Sequence, residues 1–335
     1  MRLSDELRCL EHGLRLTSDA GGEQITGMTS ALVCDAGCRV PVVGGIPRFV
    51  TSDNYAASFG RQWKRFRRTQ LDSFTGLPIS RERLARCLGG SLECVKDKTV
   101  LEIGCGAGRF TEVLLDAGAR VFASDLSVAV EANYDNCQGA PNYFICQADL
   151  RRLPVRPGTF DIVLCLGVIQ HTPSPEETIA ELCSYVRPGG LLVIDHYRYD
   201  AEDMTSTRQS LRRFLLRRPA RVSLAGVRLI VALLWPVHRL LWWLRRHPAM
   251  ATVRQKWLAI SPVLDYHDYY GALGPRLLYA WAALDTHDAL TDRYKHKRTP
   301  EEIRDHLARL GMGCVHASYG GNGVEARARK PMTAQ

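Results

Sequence analysis

The chain has 335 residues, of which 46% are hydrophobic and 24% charged, and its formal net charge is +9. This composition is typical of a globular protein and excludes a disordered, collagenous or polytopic membrane protein. The eleven cysteines are scattered along the chain, so no disulfide framework is expected. The first residues carry acids and no apolar stretch, which predicts a cytoplasmic protein without a secretory signal.

The positive charge is concentrated in one segment. Residues 204–260 hold 12 Lys and Arg and no Asp or Glu, whereas the rest of the chain has 32 basic and 35 acidic side chains. The basicity therefore belongs to this segment and is not a field of the whole protein that would attract nucleic acid.

The first 50 residues are predicted to form a small β module with a metal site. Cys9 and His12 are three residues apart, and Cys34 and Cys38 are four apart. Three thiolates and one imidazole suit tetrahedral zinc. The stretch from Cys34 to Pro47 resembles a zinc ribbon, whose usual pattern is C-x-x-C in both halves. A degenerate ribbon without metal is the alternative.

Helices are predicted over Tyr55–Phe66 and Ser80–Leu88, and from Lys98 short apolar strands alternate with amphipathic helices. This alternation predicts a parallel sheet covered by helices on both faces. The predicted strands are Thr99–Ile103, Arg120–Ser124, Tyr143–Gln147, Phe160–Leu166 and Leu191–Tyr197, with a closing hairpin over 314–329.

Two helix starts carry the same signal. Ser174 and Thr299 are each followed by a proline and, three residues on, by a glutamate, which predicts capping boxes. The first of these helices is expected to end at Arg187, because Pro188-Gly189-Gly190 cannot continue it.

A strand, a glycine-rich turn and a helix are predicted around Gly104, Gly106 and Gly108. Glycines let the backbone approach a ligand closely at the carboxyl ends of parallel strands. A dinucleotide fingerprint needs another glycine where Arg109 stands, so NAD is disfavoured. The spacing G-x-G-x-G, preceded by Glu102, resembles motif I of class I S-adenosylmethionine (SAM) dependent methyltransferases.

Further segments lie where that family needs them. Asp125 stands 23 residues after Glu102 and is placed to accept hydrogen bonds from both ribose hydroxyls. The resemblance implies that Asp149 contacts the adenine amino group, with Leu126 and Leu150 beside the ring. The cofactor-binding residues expected on this basis are Glu102, Gly104, Cys105, Gly106, Gly108, Asp125, Leu126, Asp149, Leu150, Leu166 and Gln62.

The segment Tyr55–Trp63 and the loop Val168–Thr172 look like a ubiquinone-methyltransferase-like branch, many of whose members act on small molecules, sugars or lipids. The helix with Gln62 and Trp63 either closes over the methionine end of the cofactor or packs on the sheet as an ordinary amphipathic helix.

Methyl transfer from a sulfonium needs alignment of the acceptor with the methyl carbon and a base for the acceptor proton. His171 is the first candidate for this base, because the loop after the fourth strand faces the methyl donor; the alternative is a residue that caps a helix or shapes the pocket. Other candidate bases and partners are His196, His287, His296, Asp195, Asp288 and Tyr294.

Nucleic acid is disfavoured as the acceptor. Gly167-Val168-Ile169-Gln170 stands where amino-methylating enzymes usually carry Asn or Asp, Pro, Pro and an aromatic residue, and no cysteine follows a proline as in cytosine-C5 enzymes. The expected acceptor is a small, sugar-linked or lipid-linked molecule methylated at oxygen. RNA methylation and a non-catalytic SAM-binding regulator are the alternatives.

Val222–Leu244 is apolar except for a few groups, and Pro236 is expected to bend or break it. Its uninterrupted apolar runs are shorter than the roughly 20 residues of a membrane span. Arginines and tryptophans also suit an anionic membrane surface, so peripheral contact is one interpretation. The favoured one is a helical lid whose apolar faces pack on the sheet and cover the acceptor pocket.

The predicted fold is α/β, a Rossmann-like seven-stranded methyltransferase sheet of order 3-2-1-4-5-7-6. The expected parts are a zinc-ribbon-like module (1–50), helices closing the cofactor site (51–95), a SAM-binding core (96–200), a basic helical insert (201–298) and the last helix with the closing hairpin (299–335).

Overall fold

The computed structural model describes residues 3–19, 31–51, 54–199, 206–321 and 323–332. Residues 201–205 of the predicted insert and Asn322 in the turn of the predicted hairpin lie outside them. The chain divides into two compact units. The first comprises 1–64, 78–198 and 294–335, and the second comprises 65–77 and 199–293.

All the strands of the described residues belong to the first unit. A small sheet contains β1 (Thr17–Ser18), β2 (Ala31–Val33), β3 (Arg39–Val43) and β4 (Ile46–Pro47). The central sheet contains β5 (Thr99–Ile103), β6 (Arg120–Asp125), β7 (Tyr143–Gln147), β8 (Phe160–Cys165), β9 (Val186–His196), β10 (Gly313–Gly320) and β11 (Gly323–Arg329).

The helices are distributed over both units. They are α1 (Ala57–Arg65), α2 (Asp72–Thr75), α3 (Ile79–Leu88), α4 (Arg109–Asp116), α5 (Ala129–Cys137), α6 (Pro175–Tyr185), α7 (Ser206–Leu215), α8 (Ala220–Leu244), α9 (Pro248–Ile260), α10 (Pro275–Thr291) and α11 (Pro300–Arg309).

The central sheet has the order β7-β6-β5-β8-β9-β11-β10. Counted along the chain this is 3-2-1-4-5-7-6, the order that the methyltransferase resemblance implies. Strands β5 to β9 pair in parallel, and the closing hairpin adds β11 antiparallel to β9. Every residue of β5 is buried, as expected for a strand covered on both faces. The strand order reverses between β5 and β8, which is where open α/β sheets hold ligands at their carboxyl ends.

The N-terminal module covers the edge of this sheet. The N–H of Phe49 donates to the carbonyl of Gln147 at 2.8 Å, and the Arg48 guanidinium donates to the Gln147 amide oxygen at 2.9 Å. Leu7 and Leu32 belong to the same buried cluster as Leu101 of β5. The module therefore shares the core of the sheet and protects the free edge of β7.

The two predicted capping boxes have different outcomes. At α11 the Thr299 hydroxyl accepts the N–H of Glu302, and the Glu302 carboxylate accepts the N–H of Thr299 at 2.7 Å. Helix α6 begins as predicted, with Ser174 at the N-cap position and Pro175 in the first turn, but the predicted capping box is wrong, because the Ser174 side chain makes no capping bond. Helix α6 also ends at Tyr185 and not at Arg187, since Val186 is already extended and begins β9.

The second unit is helical. Helix α8 continues through Pro236, so of the two expected outcomes, a bend or a break, the break does not occur. Among the described residues, Arg221–Leu244 is the one helix with the length and apolar character needed to cross a bilayer, a test that core helices of soluble proteins also pass; 28% of its most apolar stretch is buried.

Candidate active site at the carboxyl ends of the strands

The glycine-rich turn joins β5 to α4 and needs its glycines for two reasons. Gly104, Gly106 and Gly108 all have positive φ angles, 68°, 52° and 95°, which residues with a Cβ adopt at a cost. A Cβ on Gly104 would also stand 2.2 Å from Cγ2 of Val168. The turn therefore packs directly against the loop after β8.

Asp125 ends β6 beside this turn. Its carboxylate accepts the N–H of Gly106 at 3.0 Å and both the N–H and the hydroxyl of Ser127, at 2.8 and 2.7 Å. Burial raises the pKa of Asp125 above its ordinary value, against the effect of these hydrogen bonds. Asp125 thus ties the two loops that follow β5 and β6.

Glu102 lies inside the sheet. The hydroxyl of Thr111 on α4 donates to the Glu102 carboxylate at 2.6 Å, and Asn133 donates to the Thr111 hydroxyl at 2.9 Å. Burial raises the pKa of Glu102 to about 8. The side chain therefore connects β5 to α4 and α5, beneath the glycine-rich turn. Cys105 and Leu166, from the same predicted set, are also buried.

Asp149 follows β7 and begins a short 3₁₀ turn. It accepts the backbone N–H of Arg151 at 3.0 Å and forms an ion pair with its guanidinium. Burial would raise the pKa of Asp149, but the hydrogen bonds from Arg151 outweigh it and hold the pKa below the ordinary value. The carbonyl of Leu126 accepts amide N–H groups of Asn54 and Gln147, and Leu150 follows Asp149 in the turn.

Helix α1 lies against the glycine-rich turn. A Cβ on Gly106 would be 3.3 Å from the indole of Trp63, and Gln62 is 1% exposed. The sequence predicted a helix here, but the contact between Trp63 and Gly106 is seen only in the structure.

His171 lies in the 3₁₀ turn Ile169–His171 after β8. Its Nδ1 is 3.1 Å from the carbonyl oxygen of Tyr294, and its ring meets Tyr197 edge-on at 5.2 Å. A carbonyl only accepts, so Nδ1 carries the proton and Nε2 of the neutral ring carries the lone pair. This tautomer suits a base acting through Nε2.

His196 ends β9 in a similar way. Its Nδ1 donates to the carbonyl of Tyr197 at 3.0 Å, and burial lowers its pKa to about 4. It is 1% exposed, against 8% for His171. The His296 N–H donates to the carbonyl of Gln170, and its ring stacks on Tyr294. The sequence missed Tyr197, whose ring contacts His171 and whose carbonyl accepts the N–H of Arg298.

The remaining candidate bases and partners are Asp195, His287 and Asp288. Asp195 pairs with Arg83 and accepts the N–H of Gly167 at 2.5 Å, so it holds the loop after β8. His287 and Asp288 belong to α10 in the second unit.

Cys9, His12, Cys34 and Cys38 come together in the N-terminal module, with their ligand atoms within 4.8 Å of one another. Nδ1 of His12 is 3.7, 3.9 and 3.4 Å from the sulfurs of Cys9, Cys34 and Cys38. A tetrahedral zinc with Zn–S of about 2.3 Å and Zn–N of about 2.05 Å separates sulfur from nitrogen by about 3.6 Å. The four residues therefore fit a closed zinc site.

The second unit contains an arrangement that resembles a hydrolase triad. His238 bonds to Ser261 through Nε2 and to Asp265 through Nδ1, both at 2.8 Å. Ser261 is 1% exposed, so its hydroxyl is closed to a substrate. The arrangement fits a buried structural network better than a nucleophile.

A family model described as "Methyltransferase domain" matches residues 101–194, which run from β5 through β9. The chain is 34% identical over 101 residues to a ubiquinone biosynthesis O-methyltransferase of Coxiella burnetii, covering 29% of this chain and 43% of that protein. Residues 101–194 form a class I SAM-dependent methyltransferase domain. The matched stretch contains the glycine-rich turn, Asp125, Asp149 and His171.

The methyltransferase domain has other relatives. A malonyl-[acyl-carrier protein] O-methyltransferase of Enterobacter lignolyticus is 31% identical over 155 residues, covering 44% of this chain and 60% of that protein. The solved magnesium protoporphyrin IX methyltransferase of Synechocystis has 17% identity and a TM-score of 0.42 over 83% of this chain and 96% of that chain. The alignments with the two curated relatives thus span less than two thirds of each relative's length.

Proposed function

We propose that the protein is an enzyme that transfers a methyl group from SAM to an oxygen of a small, sugar-linked or lipid-linked acceptor in the cytoplasm. The observation that carries the proposal is the turn with three positive-φ glycines, tied by the Gly106 N–H to the Asp125 carboxylate, inside a methyltransferase domain. The two curated relatives are named as O-methyltransferases, which supports an oxygen acceptor.

In this proposal the glycine-rich turn and Asp125 hold the adenosine of SAM, and Asp149 with Leu126 and Leu150 holds the adenine. The Asp125 oxygen that accepts the Gly106 N–H has a second lone pair with which it can accept a ribose hydroxyl. The binding energy then serves to align the acceptor oxygen with the methyl carbon, which contributes several kcal/mol to catalysis.

His171 is the proposed base. Its Nε2 lone pair takes the proton of the acceptor hydroxyl while the oxygen attacks the methyl carbon and the carbon–sulfur bond breaks, so that the sulfonium leaves as a neutral thioether. The Tyr294 carbonyl oxygen fixes the ring by accepting a hydrogen bond from Nδ1–H, and the Tyr197 ring meets it edge-on.

The Cys9, His12, Cys34 and Cys38 cluster is proposed to hold structural zinc. A full set of four protein ligands leaves no open position for catalysis, so the ion would stabilise the module that covers the edge of β7.

The decisive experiment measures binding before turnover. Calorimetry with SAM and with its demethylated product should show binding to the wild-type protein, and incubation with labelled SAM and metabolite extracts should transfer label to a small or lipid-soluble product. No binding of either compound to folded protein contradicts the proposal, and binding without transfer to any acceptor favours a regulatory protein.

The role of His171 has a separate test. His171→Ala should lower kcat by about a hundredfold or more, the low end of acid–base contributions, while the Kd of SAM changes little. Activity within a few-fold of the wild type would remove His171 from the chemistry.

A further inference from the structure

Helix α8 is apolar on two faces, and only one of them is buried. Val227, Val231, Trp235 and Leu241 are buried. The exposed apolar stripe consists of Val222, Leu229, Leu233, Leu240 and Trp243, which follow one another at steps of 7, 4, 7 and 3 residues and so share one side of the helix. Leu233 is 66% exposed and Trp243 is 73% exposed.

A row of arginines flanks this stripe. Arg221, Arg228 and Arg239 of α8 are exposed and follow at steps of 7 and 11 residues, which places them along one line of the helix, beside the stripe. Arg246 is also exposed and lies two residues beyond the end of α8. None of the four has a salt-bridge partner within the described part of the chain. No acid occurs between 204 and 260, so no neighbouring side chain of this segment neutralises the row.

We propose that the outward face of α8, meaning the exposed apolar stripe with its arginine row, binds an anionic lipid bilayer with the helix lying in the plane of the surface. Leucine and tryptophan side chains enter the boundary between headgroups and acyl chains, and the arginines contact the headgroup phosphates. This inference is independent of the proposed methyl transfer, because it requires neither SAM nor an acceptor.

The contacts of the inner face favour a surface position over a span. His238 of α8 is paired with the buried Asp265, which also lies 3.7 Å from Arg254 of α9. A span would pull His238 away from these partners and carry Arg228 and Arg239 into the hydrocarbon, where arginine is costly. The helix therefore keeps its inner face on the second unit and offers the outer face alone.

Charge also argues against two other occupants. A second copy of this chain stacked on the same face would bring one arginine row against another without an acid to separate them. Nucleic acid would neutralise the arginines but leave the leucine stripe in water. An anionic lipid surface both neutralises the arginine row and takes the exposed apolar stripe out of water.

The experiment is flotation of the full chain with phosphatidylcholine vesicles that contain 30% phosphatidylserine or none. We expect binding to the anionic vesicles that weakens with salt. Each basic residue at an anionic surface contributes about fivefold, so the variant with Arg221, Arg228, Arg239 and Arg246 changed to Gln should bind roughly several-hundredfold more weakly. Leu233→Glu together with Leu240→Glu should also abolish binding.

Matched controls are Val43→Glu, which places the same charge at an exposed apolar position of the N-terminal module, and Lys96→Gln with Lys98→Gln. Both should bind as the wild type does. Brominated lipids should quench Trp fluorescence in the wild type and much less in Trp243→Phe.

Three outcomes would overturn the proposal. They are no binding to anionic vesicles at low salt, equal losses in the control variants, or a concentration-dependent dimer in sedimentation that Leu233→Glu dissociates while vesicles remain unbound. All the changed positions of α8 and Arg246 are exposed, and thermal unfolding should show a wild-type Tm for each variant.

Discussion

The Asp125 carboxylate accepts the backbone N–H of Gly106 at 3.0 Å. The acid that the sequence assigns to a ribose therefore also holds the glycine-rich turn. Because each carboxylate oxygen can accept two hydrogen bonds, the oxygen that accepts the Gly106 N–H can accept a second one from a hydroxyl.

Asp125→Asn should weaken SAM binding by about tenfold to a hundredfold, because hydrogen bonds to a charged acceptor contribute about 1.5–3 kcal/mol. Calorimetry measures the change. The matched control is Asp161→Asn at the opposite end of the sheet, where Asp161 accepts the Thr99 N–H at 2.8 Å. Equal losses of affinity in both variants would show that Asp125 acts through the fold alone.

Local patterns predicted the strands that carry this site. Thr99–Ile103 and Tyr143–Gln147 have the predicted bounds, because each is a short run between turn residues. Strand β9 begins five residues earlier than predicted. Its first pair, Phe160 with Val186, precedes a register shift in the ladder. Pro188, Gly189 and Gly190 lie in this irregular start, and because such residues are typical of turns, the sequence did not predict a strand there.

Long-range pairings could not be predicted from the sequence. His171 and Tyr294 are 123 residues apart, and Arg83 and Asp195 are 112 apart. Neither pair has a local signature, since each depends on how distant segments return to the sheet. The cluster of Cys9, His12, Cys34 and Cys38 could be predicted from the sequence, because metal ligands come in pairs with short spacings.

Gly104→Ala should both destabilise the protein and abolish SAM binding. The added Cβ would meet Val168 at 2.2 Å, and crowding of this kind costs about 1–3 kcal/mol beyond about 1–2 kcal/mol for a left-handed residue. Gly158→Ala is the matched control, since Gly158 has a φ of 69° and open space around it. Urea unfolding should show the larger loss for Gly104→Ala, and only this variant should lose SAM binding.

Glu102 should make the protein less stable as the pH rises. Burial raises its pKa to about 8, so the folded state holds a proton that the unfolded state releases near pH 4.3, and the free energy of unfolding falls between these values by up to about 5 kcal/mol. Glu102→Gln does not titrate and should remove this fall in urea unfolding measured from pH 5 to 8.5. A variant that keeps the wild-type slope would show that Glu102 is ionised in the folded protein.

Zinc should co-purify with untagged protein at about one equivalent if the cluster is a closed site. A chelator should lower the Tm of the wild type but not that of Cys34→Ser, which lacks one thiolate ligand. Cys94→Ser is the control, since Cys94 is exposed and outside the cluster. Zinc content below about a tenth of an equivalent would leave the four residues as a ribbon without metal.

The buried network of the second unit predicts a strong stability effect at one of two neighbouring aspartates. Asp265 is buried and bonded to His238 and His267, at 2.8 and 2.6 Å, whereas Asp268 pairs with Arg254 at 2.8 Å and is 44% exposed. Removing one member of a buried pair costs about 3–5 kcal/mol. Asp268 is itself partly exposed, and its buried partner Arg254 still has the Asp265 carboxylate 3.7 Å away when Asp268 is removed. Asp265→Ala should therefore lower the free energy of unfolding far more than Asp268→Ala.

The pH dependence gives the same network a second test. Burial would raise the pKa of Asp265, but the bonds from His238 and His267 outweigh burial and hold the pKa far below the ordinary value. Its stabilising contribution is thus complete above the ordinary aspartate pKa and is lost as the pH falls through the lower folded value. Urea unfolding between pH 2 and pH 6 should show a steeper acid loss for the wild type than for Asp265→Ala. Equal slopes, or ester hydrolysis that Ser261→Ala abolishes, would contradict a purely structural role.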